Sequence, residues 1–125
     1  MVTNSDARWR GLALVGAGGF LGAILRWGID GWLGSGLPLG TLGANLLAAV
    51  LLGVLLSEAH LPRWPGADAR LLVGTGFCGS LSTYSTFALE TATLPPAIAG
   101  AYVVSTYLLG FAAVVAGDRL ARWIA

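Results

Sequence analysis

Hydroxyl side chains crowd one otherwise apolar stretch of this 125-residue chain. Six of the seven residues from Ser80 to Thr86 carry a hydroxyl, Tyr84 included. Gly76 and Gly79 precede this run, and glycine loosens a helix because it has more backbone freedom. In a membrane, an interrupted helix must lie inside protein or beside water, and its freed carbonyls suit a small, hard cation. We therefore predict a helix that is broken near its middle.

Other polar residues stand singly in apolar surroundings, and each allows two interpretations. Asn45 can join two helices by a hydrogen bond or offer an N–H to an anion. Arg26 and Asp30, four residues apart, either pair on one helix face or shape a water-filled vestibule. Tyr102 and Thr106 are also four apart, so their hydroxyls share a face. A face with hydroxyls and no charge suits the passage of a small ion.

Two aromatic residues lie beside the hydroxyl run. Tyr84 and Phe87 are three residues apart, so they share a face of a helix. An aromatic ring has a positive edge and a negative face, so its edge can contact an anion. Packing between helices is the simpler interpretation, and the residues alone leave both open.

Catalytic and metal-binding side chains are scarce. Cys78 is the only cysteine and His60 the only histidine, whereas a zinc site needs several such ligands. Ser82 and Ser85 have no nearby histidine to act as a base, so no nucleophile–base pair is visible. We predict that the chain is not an enzyme. Its net charge of +1 gives no reason to expect a nucleic-acid partner.

The composition indicates which kind of secondary structure positions the polar and aromatic residues described above. Hydrophobic residues make up 56% of the chain and charged residues 10%, against about 25% charged in soluble domains. This excludes a soluble enzyme and a disordered protein. A membrane-spanning helix needs about 20 mostly apolar residues, and four stretches qualify: 11–33, 40–56, 71–94 and 96–116. We expect an all-α integral membrane protein with a polar, disordered tail over residues 1–10 and one four-helix domain over residues 11–125.

Small residues recur at helical spacing in two of these stretches. Gly18 and Gly22 form one row, and Gly40, Ala44 and Ala48 form a second. Small residues let helices approach closely in lipid, so both rows predict tight packing. Arg26 within the first stretch, and no evident cleavage site after it, argue against a signal peptide.

Four motifs in order give the chain a family resemblance. They are Gly18–Ala23 with Arg26, Gly40–Leu42 with Asn45, Thr75–Gly79, and Ser82–Phe87. The chain resembles the CrcB/Fluc fluoride channels, small bacterial proteins with four spans. The match covers nearly the whole chain, and the motifs of the third stretch are the most specific.

The resemblance implies an antiparallel dimer with two fluoride pores along the subunit interface. It also implies a structural sodium ion at the dimer centre, bound by the backbone carbonyls of Gly79 and Ser82. Arg26 matches an arginine near a vestibule. The pore residues implied by position are Asn45, Tyr84, Phe87, Tyr102 and Thr106. Two of these depart from the family, which has phenylalanine at the position of Tyr84 and usually serine at that of Thr106.

We therefore expect a passive, fluoride-selective channel in the cell membrane of a bacterium, which exports cytoplasmic fluoride and relieves its toxicity. Neutral protonated fluoride crosses the bilayer and dissociates inside, where the ion is trapped. One alternative is a small four-span, proton-coupled exporter of cationic compounds. That mechanism requires a buried carboxylate in the first span. The charged residue in the middle of this span is Arg26, and Asp30 lies near the end of the span. Another alternative is a structural membrane subunit or a small membrane enzyme.

Arginines are distributed unevenly over the expected loops. Four spans place both termini and the middle loop on one side, and this side holds most of the arginines: Arg8, Arg10, Arg63, Arg70, Arg119 and Arg122. The positive-inside rule then predicts cytoplasmic termini. An antiparallel homodimer needs one sequence to insert both ways, so the partner is either a second copy or an oppositely oriented paralogue.

Overall fold

In lipid, every backbone N–H and C=O group needs a hydrogen-bond partner within the protein. An α-helix supplies these partners within a single segment. The computed structural model describes residues 4–34, 36–57 and 66–124, and no strand occurs among them. The all-α prediction is confirmed. The helices are α1 (Asn4–Leu33), α2 (Leu39–Leu56), α3 (Ala67–Ala69), a π-helix (Arg70–Cys78), α4 (Gly79–Leu81), α5 (Ser85–Thr93) and α6 (Pro96–Ile124).

Three of these helices are long and apolar enough to cross a membrane, namely α1, α2 and α6 with 30, 18 and 29 residues. At about 1.5 Å per residue, α1 and α6 exceed a hydrocarbon core about 30 Å thick. The expected disordered tail is wrong for residues 4–10, because α1 already begins at Asn4. An ion pair between Arg10 and Asp68 holds this part of α1 against α3.

The third apolar stretch comprises several shorter segments. α3, the π-helix and α4 follow one another without a gap from Ala67 to Leu81. Ser82 then has extended backbone, with φ −77° and ψ 152°, and helix resumes at Ser85. α6 starts with Pro96, where the missing N–H of proline costs nothing.

Polar contacts fix which helix ends lie together. The Arg10–Asp68 ion pair brings the start of α1 to the start of α3. Ser57, just after α2, donates a hydrogen bond to Asp118 on α6 over 2.8 Å. At the other end, a Cβ on Gly40 of α2 would lie 2.7 Å from the Cα of Asp30 on α1. The Arg10–Asp68 and Ser57–Asp118 contacts lie at the end of the bundle that holds both chain termini, and we call it the termini end.

Glycines allow the helices to touch backbone to backbone. A Cβ on Gly18 would overlap the carbonyl oxygen of Leu72, and one on Gly22 would overlap that of Phe77. Both contacts are with the π-helix, so the predicted close packing of this row is confirmed. Gly53 and Gly117, which sequence analysis did not single out, bring α2 and α6 together in the same way. Ala44 and Ala48 of the second row are buried in the core.

Large apolar side chains cover the outside of the bundle. Trp9 and Trp123 are highly exposed near the termini end, and Trp27 and Trp32 are highly exposed toward the other end of α1. Tryptophan is enriched at both interfaces of a bilayer. This distribution fits a helical bundle that stands across a membrane.

Candidate functional site

The extended segment between α4 and α5 is held by an asparagine of α2. Asn45 Nδ2 donates to the carbonyl oxygen of Thr83 over 3.1 Å. The backbone N–H of Thr83 donates to Asn45 Oδ1 over 2.7 Å. One amide side chain therefore satisfies both polar groups of one residue, and we call this pair of bonds the Asn45 clamp.

The Asn45 clamp bears on both interpretations of Asn45. It joins α2 to the non-helical segment between α4 and α5 by two hydrogen bonds, which is close to the first interpretation. A primary amide has two N–H donors, and one of them is used by Thr83. Asn45 also lines a cleft.

Replacing Asn45 tests the clamp directly. Asn45→Leu removes both bonds at similar volume and leaves two partly buried backbone groups without partners. Each such group costs about 1–3 kcal/mol, so we expect a clear drop in melting temperature in detergent. Asn45→Asp keeps an acceptor for the Thr83 N–H and is expected to lose less stability. A leucine variant as stable as the wild type would contradict the clamp.

Thr83 also shapes the start of α5. Its Oγ1 accepts a hydrogen bond from the backbone N–H of Thr86 over 3.3 Å and donates one to Thr86 Oγ1 over 3.2 Å. Ser82 Oγ donates to the carbonyl oxygen of Cys78 over 2.8 Å. The Thr83 hydroxyl thus supplies a partner for the Thr86 N–H, whereas the Ser82 hydroxyl adds a second donor to a carbonyl that already accepts the Ser82 N–H.

Two carbonyls lose their usual helical partners as a result. The Thr83 N–H, which would bond the Gly79 carbonyl in a continuing helix, goes to Asn45. The Thr86 N–H, which would bond the Ser82 carbonyl, goes to Thr83 Oγ1. Gly79 and Ser82 are the two residues whose carbonyls the resemblance assigns to sodium.

Phe87 lies at the centre of an aromatic cluster. Its side chain is 7% exposed. The ring centroids of Tyr84 and Tyr102 lie 5.9 and 5.2 Å from that of Phe87, with tilted planes. Tyr107 packs edge to face with Phe87 at 6.3 Å. All three tyrosines of the chain therefore surround this one phenylalanine.

One cleft gathers most of the predicted pore residues. It has a volume of about 240 Å³. Tyr102 does not line it, although its ring packs on Phe87 from behind. The residues that line the cleft are Asn45, Ser82, Thr83, Tyr84, Phe87, Thr106 and Tyr107.

Thr106 is exceptional among the polar residues of this cleft. Among the residues that the structure describes, its Oγ1 is the one buried side-chain oxygen or nitrogen with no hydrogen-bond partner. A buried hydroxyl without a partner is costly. An unpaired donor beside an aromatic ring is what an anion-binding position requires.

A carboxylate that we did not assign to the site joins three elements. Glu90 accepts a hydrogen bond from Thr41 on α2 and another from the hydroxyl of Tyr102 on α6, both over 2.8 Å. The signal in the sequence was that Glu90 is the only carboxylate of the third apolar stretch. The Tyr102 hydroxyl is therefore engaged by a protein group.

Arg26 lines a second cleft on the other side of Thr83. Its volume is about 240 Å³, and Asp30, Thr41 and Thr86 also line it. No ion pair or hydrogen bond between Arg26 and Asp30 occurs in the described part of the chain, so the predicted helix-face pair is not formed. The vestibule, which is the other interpretation of these two residues, stays a prediction.

Fold and clefts together define a multi-pass α-helical membrane protein with two polar clefts beside the segment between α4 and α5. The model of the family described as CrcB-like protein, Camphor Resistance (CrcB), matches residues 13–118. The chain belongs to this family, as its motifs indicated.

Curated relatives resemble the chain over most of their length. The fluoride-specific ion channel FluC 1 of Natronomonas pharaonis is 45% identical over 91% of this chain and 96% of that protein. The fluoride-specific ion channel FluC of Oceanobacillus iheyensis is 38% identical over 91% and 93%. The protein of the same name from Nitrobacter winogradskyi is 35% identical over 94% and 99%.

Proposed function

We propose that this protein is a fluoride-selective channel that lets fluoride leave the cytoplasm passively and so relieves its toxicity. The observation that carries the proposal is the buried, unpartnered hydroxyl of Thr106 in a cleft beside Phe87. The names of the relatives support the same activity. A channel performs no catalysis, in agreement with the absence of a nucleophile–base pair in the sequence.

The chemistry of the cleft suits a small, strongly hydrated anion. The groups that line it are hydroxyls, one amide and aromatic rings, and none carries a charge. Donors replace water around the ion, whereas a fixed positive charge in the pore would hinder its release. Arg26 lies in the neighbouring cleft, where it attracts anions without holding them in the pore.

The proposed channel is an antiparallel dimer in which the third apolar stretch is one broken membrane span. Tyr84 lies at the interruption and is 74% exposed in the single subunit. Its hydroxyl has no hydrogen-bond partner among the described residues, which is unfavourable in hydrocarbon. A second subunit over this face would cover the ring and close the cleft into a pore.

The distribution of arginines bears on whether the second subunit is another copy of this chain or a paralogue. Five of them lie near the termini end, and Arg63 falls outside the described residues. We place the protein in the cell membrane of a bacterium with cytoplasmic termini, or in both orientations if it pairs with itself. C-terminal reporter fusions expressed alone test this: labelling on both faces indicates a homodimer, and labelling on the cytoplasmic face indicates a paralogous partner.

The carbonyls of Gly79 and Ser82 fit the structural sodium ion that we propose at the dimer centre. Their helical partners are diverted to Asn45 and Thr83, and carbonyl oxygens are ligands that hard cations prefer. When bound, the ion would supply a positive charge between the subunits. Because the ligands belong to the backbone, Ser82→Ala should leave sodium-dependent dimer stability unchanged.

A direct flux assay tests the proposed function. Purified protein in liposomes should release fluoride after a potassium ionophore is added, and it should retain chloride under the same gradient. Equal rates for both anions would refute fluoride selectivity. Proton-coupled uptake of a cationic dye, with no fluoride release, would instead favour the alternative exporter, against which the relatives now weigh.

Tyr84→Phe tests the departure at the interruption. We expect fluoride flux within about twofold of the wild type, because the ring that packs on Phe87 is retained and the hydroxyl makes no bond in the subunit. The assay is the same efflux measurement. An inactive wild type that Tyr84→Phe restores would show that the extra hydroxyl disables the channel.

A further inference from the structure

The third tyrosine of the aromatic cluster stands on α6, one residue after Thr106. Tyr107 is 51% exposed and forms part of the rim of the cleft. Its ring is almost perpendicular to that of Phe87, with an interplanar angle of 86°. Neither composition nor motif had marked it, because a tyrosine amid apolar residues of a span is usually an interfacial or packing residue.

We infer that Tyr107 is a positioning residue for anion selectivity, which acts by fixing the plane of the Phe87 ring. The inference rests on the proposed function, since it assigns Tyr107 a role in the same pathway. Its ring is the acting group, because its hydroxyl makes no hydrogen bond within the described residues.

The geometry shows how one helix sets the ring plane. Tyr102 and Tyr107 are both on α6 and contact Phe87 with different tilts, 52° and 86°. Tyr102 is itself anchored through Glu90. These two rings, both on α6, favour a single orientation of the Phe87 ring plane. A change of the Phe87 rotamer would break both ring contacts at once.

The plane of Phe87 matters because only a ring edge is attractive to an anion, whereas the face repels it. A rotated Phe87 would present less edge to an ion beside Thr106. Removing the Tyr107 ring should therefore weaken discrimination between fluoride and chloride and should not simply block the path. If Tyr107 only stabilised the fold, its removal would lower the fluxes of fluoride and chloride equally, in proportion to the loss of folded protein.

The experiment compares fluoride and chloride efflux from liposomes for four proteins. Tyr107→Leu is expected to lower the fluoride-to-chloride rate ratio about tenfold, the scale of one lost aromatic contact. Tyr107→Phe should match the wild type, because it retains the ring. Phe111→Leu is the control, since it removes an exposed ring from α6 that is not in the Phe87 cluster.

Two further measurements keep the inference open to refutation. In a Phe87→Leu background, Tyr107→Leu should change the ratio no further, because its effect passes through Phe87. If Tyr107→Leu does not fold, Tyr107→Met takes its place with a similar volume. An unchanged ratio in the folded variant overturns the inference, and so does a loss in Tyr107→Phe equal to that in Tyr107→Leu.

A readout that needs no conduction separates this inference from the proposed function. Carbon-13 labelling of the four phenylalanines allows the Phe87 ring signals to be followed by NMR. Tyr107→Leu should shift and broaden them, while Phe111→Leu should not. If the wild type conducts no fluoride but this spectral change occurs, the function is wrong and the positioning stands. If the Phe87 signals do not respond, the positioning is wrong whatever the flux.

Discussion

Phe87→Ile is expected to reduce fluoride efflux from liposomes about a hundredfold while the protein remains folded. The substitution retains an apolar side chain of moderate size and removes the aromatic edge, the one attractive contact that a ring offers an anion. The loss is large because Phe87 lines the same cleft as the unpartnered Thr106 hydroxyl and contacts three tyrosine rings. Each tenfold loss of rate corresponds to about 1.4 kcal/mol of added barrier.

The control for this result is Phe111→Ile. Phe111 of α6 is 70% exposed and lines neither of the two clefts of the candidate site. Its replacement should leave efflux within about twofold of the wild type, as is usual for an exposed side chain. Gel filtration of both variants checks that the assembly is intact. Wild-type efflux from Phe87→Ile would remove this ring from the pathway.

Gly18→Ala is expected to prevent stable folding. The added methyl group would overlap the Leu72 carbonyl oxygen and lie 2.9 Å from the Phe77 backbone nitrogen. Both are backbone atoms of the π-helix, so no side chain can turn aside, and α1 must move as a whole. Overpacking in a core costs typically 1–3 kcal/mol, and we expect at least the upper value here.

Gly16→Ala on the same helix is the matched comparison. Nothing lies within 4 Å of a Cβ at Gly16, and alanine is the better helix former by about 1 kcal/mol. Its melting temperature in detergent should equal or exceed that of the wild type. The contact between α1 and the π-helix would be refuted if both alanine variants melted like the wild type.

The sequence predicted those features that depend on local chemistry. The apolar stretches indicated the helices, and the spacing of Gly18 and Gly22 indicated where two helices touch. The hydroxyl run includes Ser82, where the backbone becomes extended, and the family motifs placed Asn45 and Phe87 among the expected pore residues.

Other features depend on how elements meet in space. Helix α1 begins at Asn4, and its Arg10 pairs with Asp68, 58 residues away, a partner that no local pattern reveals. Tyr107 is a single tyrosine in an apolar stretch, and its contact with Phe87 depends on how α6 packs against α5. Glu90 was visible as a lone carboxylate, but its partners Thr41 and Tyr102 come from two other helices.

The Asn45 clamp has a consequence for the order of folding. Without α2 beside it, the third apolar stretch could continue as an ordinary α-helix. The Thr83 N–H would then bond the carbonyl of Gly79 one helical turn before it. Helix is therefore its expected state up to Thr83, and the Gly79 carbonyl becomes available only when Asn45 of α2 accepts the Thr83 N–H. We therefore expect the Asn45 clamp to form when α2, which precedes the third stretch in the chain, packs against it.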